Sequence, residues 1–204
     1  MAGGKGSRLG RAKALEYVGH KRLIDRVIDA LFQVTQEIHI VTSQGQLNSI
    51  ISAKLNANTV VDLYPGKGAL GGIYTGLMNA TAYYSLFVAC DMPFINHALV
   101  RYLASIAPGF DIVIPAFNGY FEPLHAIYSK DCLDEMKKLL DEDDLVIIDL
   151  LDAVKTRYVE MDEIKEFDPD LLSFFNINTK HDLVKAKSII ERTENPHKMG
   201  ELDN

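Results

Sequence analysis

Short apolar runs alternate with amphipathic segments along most of the chain, and this alternation constrains the fold more than any other feature. Ile24, Val27, Ile28 and Leu31 recur at helical spacing, and the next apolar run, at 37–42, has the pattern of a short strand. Regular alternation of helices with strands is typical of a parallel sheet covered by helices. The sequence therefore predicts an α/β fold.

The individual elements are predicted from the same patterns. Strands are expected at 37–42, 59–62, 85–89, 111–116, 124–129, 157–161 and 174–177. Helices are expected near 24–31, 47–55, 73–82, 98–106, 132–140 and 182–192. The apolar run at 145–151 suits a strand or a helix, and a helix is favoured because Ala153 and Val154 extend its pattern. Residues 63–72 contain one proline and four glycines, which predicts a loop. The mostly apolar run at 85–89 is expected to be a central strand, covered on both faces.

Composition limits the function classes. The chain has 204 residues, enough to close one core without disulfides or metal ions. Its two cysteines, Cys90 and Cys132, do not suffice for a disulfide framework and favour a reducing compartment. No apolar run approaches the ~18 residues that a membrane span requires, and a formal charge of −7 argues against nucleic-acid binding. We therefore expect a cytoplasmic protein that binds neither membranes nor nucleic acids.

The amino-terminal segment differs from the rest of the chain in charge. Residues 1–22 contain six basic side chains and one acidic side chain. Four glycines, Gly3, Gly4, Gly6 and Gly10, lie among the basic residues. Glycine permits positive φ angles and lets a ligand approach the backbone amides closely. The combination predicts a phosphate-binding loop, and the alternative is a glycine-rich surface turn.

A phosphate loop in an α/β sheet normally follows a first strand of about five residues. Only Met1 and Ala2 precede Gly3. We therefore expect the first strand to be truncated, either because an upstream start codon was overlooked or because the chain was trimmed.

Four motifs carry a family resemblance. Residues 2–13 contain A-G-G-x-x-S-R-x-G-x-x-K, which resembles the signature of nucleotidyltransferases that activate sugars, pterins and terpenoid precursors. The segments at 68–72 (G-A-L-G-G), 89–93 (A-C-D-M-P) and 176–183 (N-I-N-T-K-H-D-L) follow in the order found in the molybdenum cofactor guanylyltransferases. The chain departs from that family in its truncated first strand, in Ala69 where proline is usual, and in Lys180 and His181 where Pro-Glu is commoner.

The resemblance implies a Rossmann-like, three-layer, mostly parallel sheet of the nucleotidyltransferase type. It implies a single domain over 1–204, with a nucleotide-binding half at 1–116, an acceptor-side half at 117–194 and a polar tail at 195–204. The implied reaction transfers GMP from GTP to molybdopterin that carries molybdenum, releases pyrophosphate and uses Mg²⁺. The resemblance also allows transient contacts with proteins of cofactor synthesis or delivery. A cytidylyl- or sugar-nucleotide transferase of the same fold and a non-catalytic nucleotide-binding protein remain alternatives.

The chemistry of such a transfer determines which residues matter. A phosphate nucleophile has its second pKa near about 6, so no general base is required. The site must instead supply cations, backbone amides and a metal ion to bring the anions together. Lys13 and Arg8 suit the triphosphate. Asp91 suits Mg²⁺ because it follows the carboxyl end of the most apolar strand, although such an aspartate can also cap a helix or turn.

The candidate site residues are therefore as follows. Catalytic roles are assigned to Lys13, Arg8 and Asp91. Nucleotide contacts are assigned, partly by resemblance, to Met1, Ala2, Gly3, Gly4, Lys13, Thr42, Asp62 and Asp91. Metal ligands are Asp91 and Asn178, and acceptor contacts are Asn176 and Asn178, either of which can instead cap the last helix. Glu122 and Arg157 lie in the acceptor-side half without an assigned role.

Overall fold

The computed structural model describes residues 1–2, 13–53, 55–117 and 119–194. Gly3, Gly4 and Arg8 of the predicted phosphate loop and the polar tail at 195–204 lie outside the described residues. The assignments made for them stay predictions.

Strands and helices alternate through the described chain. The strands are β1 (Tyr17–Val18), β2 (Lys21–Arg22), β3 (His39–Thr42), β4 (Asn58–Val61), β5 (Tyr84–Val88), β6 (Ile112–Phe117), β7 (Tyr120–Phe121), β8 (His125–Ser129) and β9 (Thr156–Glu160). The helices are α1 (Leu23–Leu31), α2 (Leu47–Ser52), α3 (Gly68–Asn79), α4 (His97–Ile106), α5 (Leu133–Asp141), α6 (Ile147–Ala153), α7 (Met161–Lys165) and α8 (Lys180–Glu194). Within the described ranges, no helix has the length and apolar character needed to cross a bilayer.

The central sheet is mixed. One ladder runs β5-β8-β6-β7, with β9 on the other edge of β6, and β3 pairs with β4 separately. β8 is antiparallel to both β5 and β6, whereas β9 is parallel to β6 and β4 is parallel to β3. The α/β class is confirmed. The prediction of a mostly parallel sheet is correct for β5, β6 and β9, which run in the same direction, but β8 lies antiparallel between β5 and β6. β5 belongs to the predicted nucleotide-binding half, and β8 and β9 belong to the predicted acceptor-side half. Strands from both predicted halves therefore share one ladder.

Side chains alternate between two faces of this sheet, which gives three layers. Ile112 and Ile114 of β6 pack with α3, α5 and α6, while Val113 between them packs with α4 and α7. In β8, Tyr128 belongs to the first cluster and Ile127 to the second. Successive strand residues point to opposite faces, so apolar residues at consecutive positions require helices on both sides.

Met1 and Ala2 continue the sheet between β3 and β5. The Ala2 amide donates to the Val41 carbonyl at 2.8 Å, and the amino group of Met1 donates to the Val88 carbonyl at 2.8 Å. The Cys90 amide donates to the Met1 carbonyl at 3.1 Å. This is the pattern of a parallel pair, and these two residues occupy the position of the carboxyl end of the expected first strand.

Two predicted elements were wrong. The loop predicted at 63–72 ends at Lys67, because α3 begins at Gly68. Glycine disfavours a helix, but two glycines of α3 allow neighbouring residues to pack closely against it. A Cβ atom at Gly71 would lie 2.9 Å from Tyr64, and a Cβ atom at Gly76 would lie 2.4 Å from the Phe87 ring. The strand predicted at 174–177 is instead a 3₁₀ turn followed by irregular chain, in which Phe174 packs edge-on against Phe117.

His125, at the start of β8, is completely buried. Its ring nitrogens have no hydrogen-bond partner among the described residues, and its ring lies 5.0 Å from that of Phe174. Burial lowers the pKa of His125 from 6.5 to about 4, although the charge of Asp168 acts in the opposite direction. The folded protein therefore holds this imidazole in its neutral form.

We predict that His125 makes the protein less stable below neutral pH. Between pH 6.5 and about 4 the unfolded chain takes up a proton that the native state does not, so the free energy of unfolding falls by roughly 3 kcal/mol across that window. Urea unfolding of wild type and His125→Leu at pH 7 and pH 4.5 measures this. Between these two pH values the wild type should lose about 2.5 kcal/mol more stability than the variant, and equal losses would contradict the prediction.

Candidate functional site

Three side chains from distant parts of the sequence meet at the carboxyl end of β5. The Lys13 Nζ lies 2.5 Å from the Asp91 Oδ2 and 2.7 Å from the Asn178 Oδ1. Lys13 begins a short 3₁₀ turn, Asp91 follows β5, and Asn178 precedes α8. The side chains of Lys13 and Asp91 are 23% and 20% exposed, so this ion pair is open to solvent on one side only.

Backbone hydrogen bonds on both sides position Asp91. The amide of Cys90 is held by the Met1 carbonyl, and the Asp91 carbonyl accepts from the Ile177 amide at 3.0 Å. The first bond attaches the segment to the sheet, and the second attaches it to the segment that carries Asn178. The separation of Asp91 from Asn178 is therefore set by the backbone.

A capping box at the start of α8 leaves the Asn178 side chain available. The Asp182 Oδ2 accepts from the amides of Asn178 and Thr179 at 3.0 and 2.8 Å, and the Thr179 Oγ1 accepts from the Asp182 amide at 3.2 Å. The sequence analysis allowed Asn178 to cap the last helix, but in the structure Thr179 and Asp182 cap α8. Asn176, on the same segment, makes no side-chain hydrogen bond to the described residues.

Asp62 and Thr42 form a second group at the ends of β4 and β3. The Asp62 amide donates to the Thr42 carbonyl at 2.8 Å, and the Asp62 Oδ1 accepts from the Tyr64 amide at 2.9 Å. The Thr42 hydroxyl is buried and has no partner among the described residues. Asp62 makes no hydrogen bond to Lys13, Asp91 or Asn178 within the described chain, so the structure brings the predicted residues together as two groups on one sheet edge.

The other predicted contacts have different surroundings. The backbone groups of Met1 and the amide of Ala2 pair with the neighbouring strands, as described above. Arg157, on β9, donates to the Glu163 carboxylate at 2.5 Å, and the same oxygen accepts from the Tyr102 hydroxyl at 2.6 Å. Burial raises the pKa of the Cys90 thiol to about 11, so it stays protonated at neutral pH and is a poor nucleophile.

Two oxygens around one ammonium group show what the site can hold. The Asp91 carboxylate and the Asn178 amide oxygen both point at the Lys13 Nζ. Hard oxygen ligands suit Mg²⁺, which often takes only one or two protein carboxylates. Within the described ranges no group of three or more His, Cys, Asp and Glu side chains is placed to hold a metal ion, so any ion here depends on few protein ligands.

Comparison with known proteins identifies the family. The model of the MobA-like NTP transferase domain matches residues 1–155. The chain belongs to the MobA-like NTP transferase family. Its members catalyse nucleotidyl transfer, and the chain is accordingly a nucleotidyltransferase.

Individual relatives cover nearly the whole chain. A probable molybdenum cofactor guanylyltransferase from Pelotomaculum thermopropionicum is 35% identical over 193 residues, covering 95% of this chain and 92% of the relative. A molybdenum cofactor guanylyltransferase from Desulfosudis oleivorans is 34% identical, covering 94% of each. The crystal structure of molybdopterin-guanine dinucleotide biosynthesis protein A from Archaeoglobus fulgidus has a TM-score of 0.81 and 29% identity, covering 94% of this chain and 96% of that chain.

Glu122 lies close to Asp91, although the sequence analysis assigned it no role. Burial raises the pKa of its carboxyl group, the Leu124 amide that donates to Oε1 at 3.3 Å acts in the opposite direction, and the negative charge of Asp91 raises the pKa further. The reversed direction of β8 explains this proximity, because Val88 pairs with His125 and the chain just before β8 reaches the end of β5. In the sequence, the only local sign of a role for Glu122 was its place in a Glu-Pro pair at a turn.

We predict that Asp91→Asn lowers the pKa of Glu122, because it removes the nearby negative charge while the burial remains. NMR titration of carboxyl carbons measures this shift. Asp134→Asn, on the exposed start of α5, is the matched control and should leave the Glu122 titration unchanged. An unaltered pKa in Asp91→Asn would show that the two carboxylates do not interact.

Proposed function

We propose that this nucleotidyltransferase transfers GMP from GTP to molybdopterin that carries molybdenum. An oxygen of the acceptor's terminal phosphate forms a bond to the α-phosphorus of GTP, the bond from that phosphorus to the bridging oxygen breaks, and pyrophosphate leaves. The observation that carries the proposal is the meeting of Lys13, Asp91 and Asn178 at the carboxyl end of β5. The guanylyltransferase names of relatives at about 35% identity support the choice of reaction.

The reaction needs positive charge and orientation more than proton transfer. The attacking phosphate is already largely ionised at neutral pH, and the protonated Cys90 thiol offers no competing nucleophile. Lys13 holds the α-phosphate and the departing pyrophosphate, assisted by Arg8 and the amides of Gly3 and Gly4. In the structure the Lys13 ammonium is bound by two oxygens, so it exchanges those partners for phosphate oxygens when nucleotide arrives.

We assign the metal site to Asp91 and Asn178, with Mg²⁺ as the ion. The observation that fits this assignment is that both oxygens already surround a cation, the Lys13 ammonium. Bound Mg²⁺ would neutralise charge on the phosphates and help to orient them. Asp91 and Asn178 provide the fixed oxygens, and Glu122 adds a carboxylate close to Asp91.

Asp62 is our candidate for reading guanine. A carboxylate accepts from both N1–H and the N2 amino group of guanine, whereas cytosine presents an acceptor at N3. The backbone and side-chain hydrogen bonds that Asp62 accepts in the structure both use Oδ1, so Oδ2 is available. Thr42 lies beside it, and Asn176 and Asn178 face the acceptor. The proposed setting is the cytoplasm, where the acceptor and its delivery proteins are expected.

We predict that Asp91→Asn lowers kcat at least about 100-fold with little change in Tm, because the substitution removes charge at the metal site and barely alters volume. The measurement is pyrophosphate release with GTP, Mg²⁺ and molybdenum-loaded molybdopterin. Asp29→Asn, on the exposed face of α1, is the control and should retain full turnover. Unchanged turnover in Asp91→Asn would remove its assigned role.

Nucleotide choice tests the guanylyl assignment separately. With Mg²⁺ present, GTP should raise Tm more than CTP does, since a ligand that binds only the native state stabilises it in proportion to its affinity. Asp62→Asn should reduce the preference for GTP. Protection by CTP but not by GTP would favour a cytidylyltransferase, and GTP binding without pyrophosphate release in the presence of the acceptor would contradict the proposed transfer.

A further inference from the structure

Apolar side chains are exposed where α5 connects to α6. α6 buries Leu150 and Leu151 against the core, and one such stripe is what an amphipathic surface helix needs. Leu145, Val146 and Ile148 lie outside this stripe and are 37%, 53% and 46% exposed. Single exposed apolar residues are ordinary in soluble proteins, but adjacent ones form a patch of the kind that marks an interaction site.

The same part of the chain is strongly acidic. Residues 139–154 contain six acidic side chains and no basic side chain. Two of them are paired from outside this range, because the Lys137 Nζ donates to Asp141 and the Lys67 Nζ donates to Asp143, each at 2.5 Å. The others make no ion pair with a described residue, and they are Glu142, Asp144, Asp149 and Asp152. Negative charge on this surface is therefore left unbalanced.

The unpaired carboxylates lie beside the apolar patch, and together they form a surface that we call the 142–152 face. The Asp144 Oδ1 accepts from the Val146 amide at 3.1 Å, and Asp152 lies one helical turn after Ile148. The pKa of the Asp149 carboxyl is raised by desolvation, by its contact with Asp144 and by the charge of Asp152. Three carboxylates thus repel one another within a small area, and a cation bound there would relieve this repulsion.

The 142–152 face lies next to the loop that leads into α3. The Lys67 Nζ that pairs with Asp143 also donates to the Leu140 carbonyl at 3.5 Å. Lys67 is the residue before α3, on the segment that begins with Asp62 at the end of β4. A molecule bound to this face would therefore lie close to the sheet edge that carries the candidate site.

The chemistry of the 142–152 face selects one kind of partner. Its carboxylates attract lysine and arginine and repel the phosphates of nucleic acids and of anionic lipid surfaces. A second copy of the chain is disfavoured because each copy has a net charge of −7. A helix face offers no unpaired strand edge to an extended peptide, but its side chains pack well against those of another helix.

We propose that the 142–152 face docks a basic amphipathic helix of a partner protein. The apolar stripe of that helix covers Leu145, Val146 and Ile148, and its lysine or arginine side chains pair with Asp149 and Asp152. None of these residues belongs to the candidate site, so the proposal is independent of the reaction assigned above.

Binding of a synthetic helix to the full chain tests the proposal. The probe is the peptide Leu-Lys-Lys-Leu-Ala-Lys-Lys-Leu-Ala-Lys-Lys-Leu-Ala-Lys-Lys-Leu, and its control has alanine in place of every leucine. At low salt the probe should bind with a Kd of at most about 100 μM, and the control should bind at least about tenfold more weakly because it lacks the apolar contact. The largest amide shifts in NMR spectra should fall within 142–152.

Matched charge variants locate the contact. Asp149→Lys/Asp152→Lys should weaken probe binding at least about tenfold, and the neutral pair Asp149→Asn/Asp152→Asn should weaken it about threefold. Asp170→Lys/Glu191→Lys makes the same change in net charge at exposed positions of other segments, and it should leave the Kd within about twofold. If the charge-reversed pair fails to fold, the neutral pair still decides between these outcomes.

Four results would overturn the proposal. The first is a probe that does not bind, and the second is an alanine control that binds equally well. The third is equal weakening by both charge-reversed pairs, which would show attraction to the net charge alone. The fourth is self-association of the chain that Asp149→Lys/Asp152→Lys abolishes in sedimentation velocity, which would identify a second copy as the occupant.

Discussion

Three backbone hydrogen bonds made by Met1 and Ala2 join the two parts of the sheet. Without them, the β3–β4 pair and the ladder that begins at β5 share no strand pairing among the described residues. The same residues also fix the chemistry, because the Met1 carbonyl accepts from Cys90, the residue before Asp91. Continuity of the sheet and placement of the candidate metal ligand therefore depend on one short stretch of backbone.

The Lys13 ion pair has a comparable role among side chains. It connects residues that are 78 and 165 positions apart in sequence, and both charged partners are mostly buried. Because both side chains keep some contact with solvent, the pair orients these segments while contributing only modestly to stability. In the proposed reaction, an arriving triphosphate offers Lys13 alternative oxygens, so the same side chain would serve both structure and function.

Much of this architecture was predictable because the signals are local. Apolar runs placed β3, β4, β5, β6, β8 and β9 within one or two residues, and the rule that ligands bind beyond the carboxyl ends of strands pointed to Asp91. The start of α3 was missed because tertiary packing, not propensity, decides the conformation of Gly71 and Gly76. Glu122 received no role because its approach to Asp91 depends on the direction of β8, which no local pattern encodes. The roles of Arg8, Gly3 and Gly4 stay predictions.

The reversed course of β8 has a consequence for how such a protein can diversify. Because this strand returns through the middle of the ladder, the β6–β7–β8 connection reaches the same edge as the segment that follows β5. Changes of length or sequence in that connection alter the neighbourhood of Glu122 while leaving the β3–β4 end, with Asp62, untouched. Under the proposed assignment, evolution can thus refit the acceptor side of this sheet edge to a new second substrate and retain nucleotide recognition at Asp62.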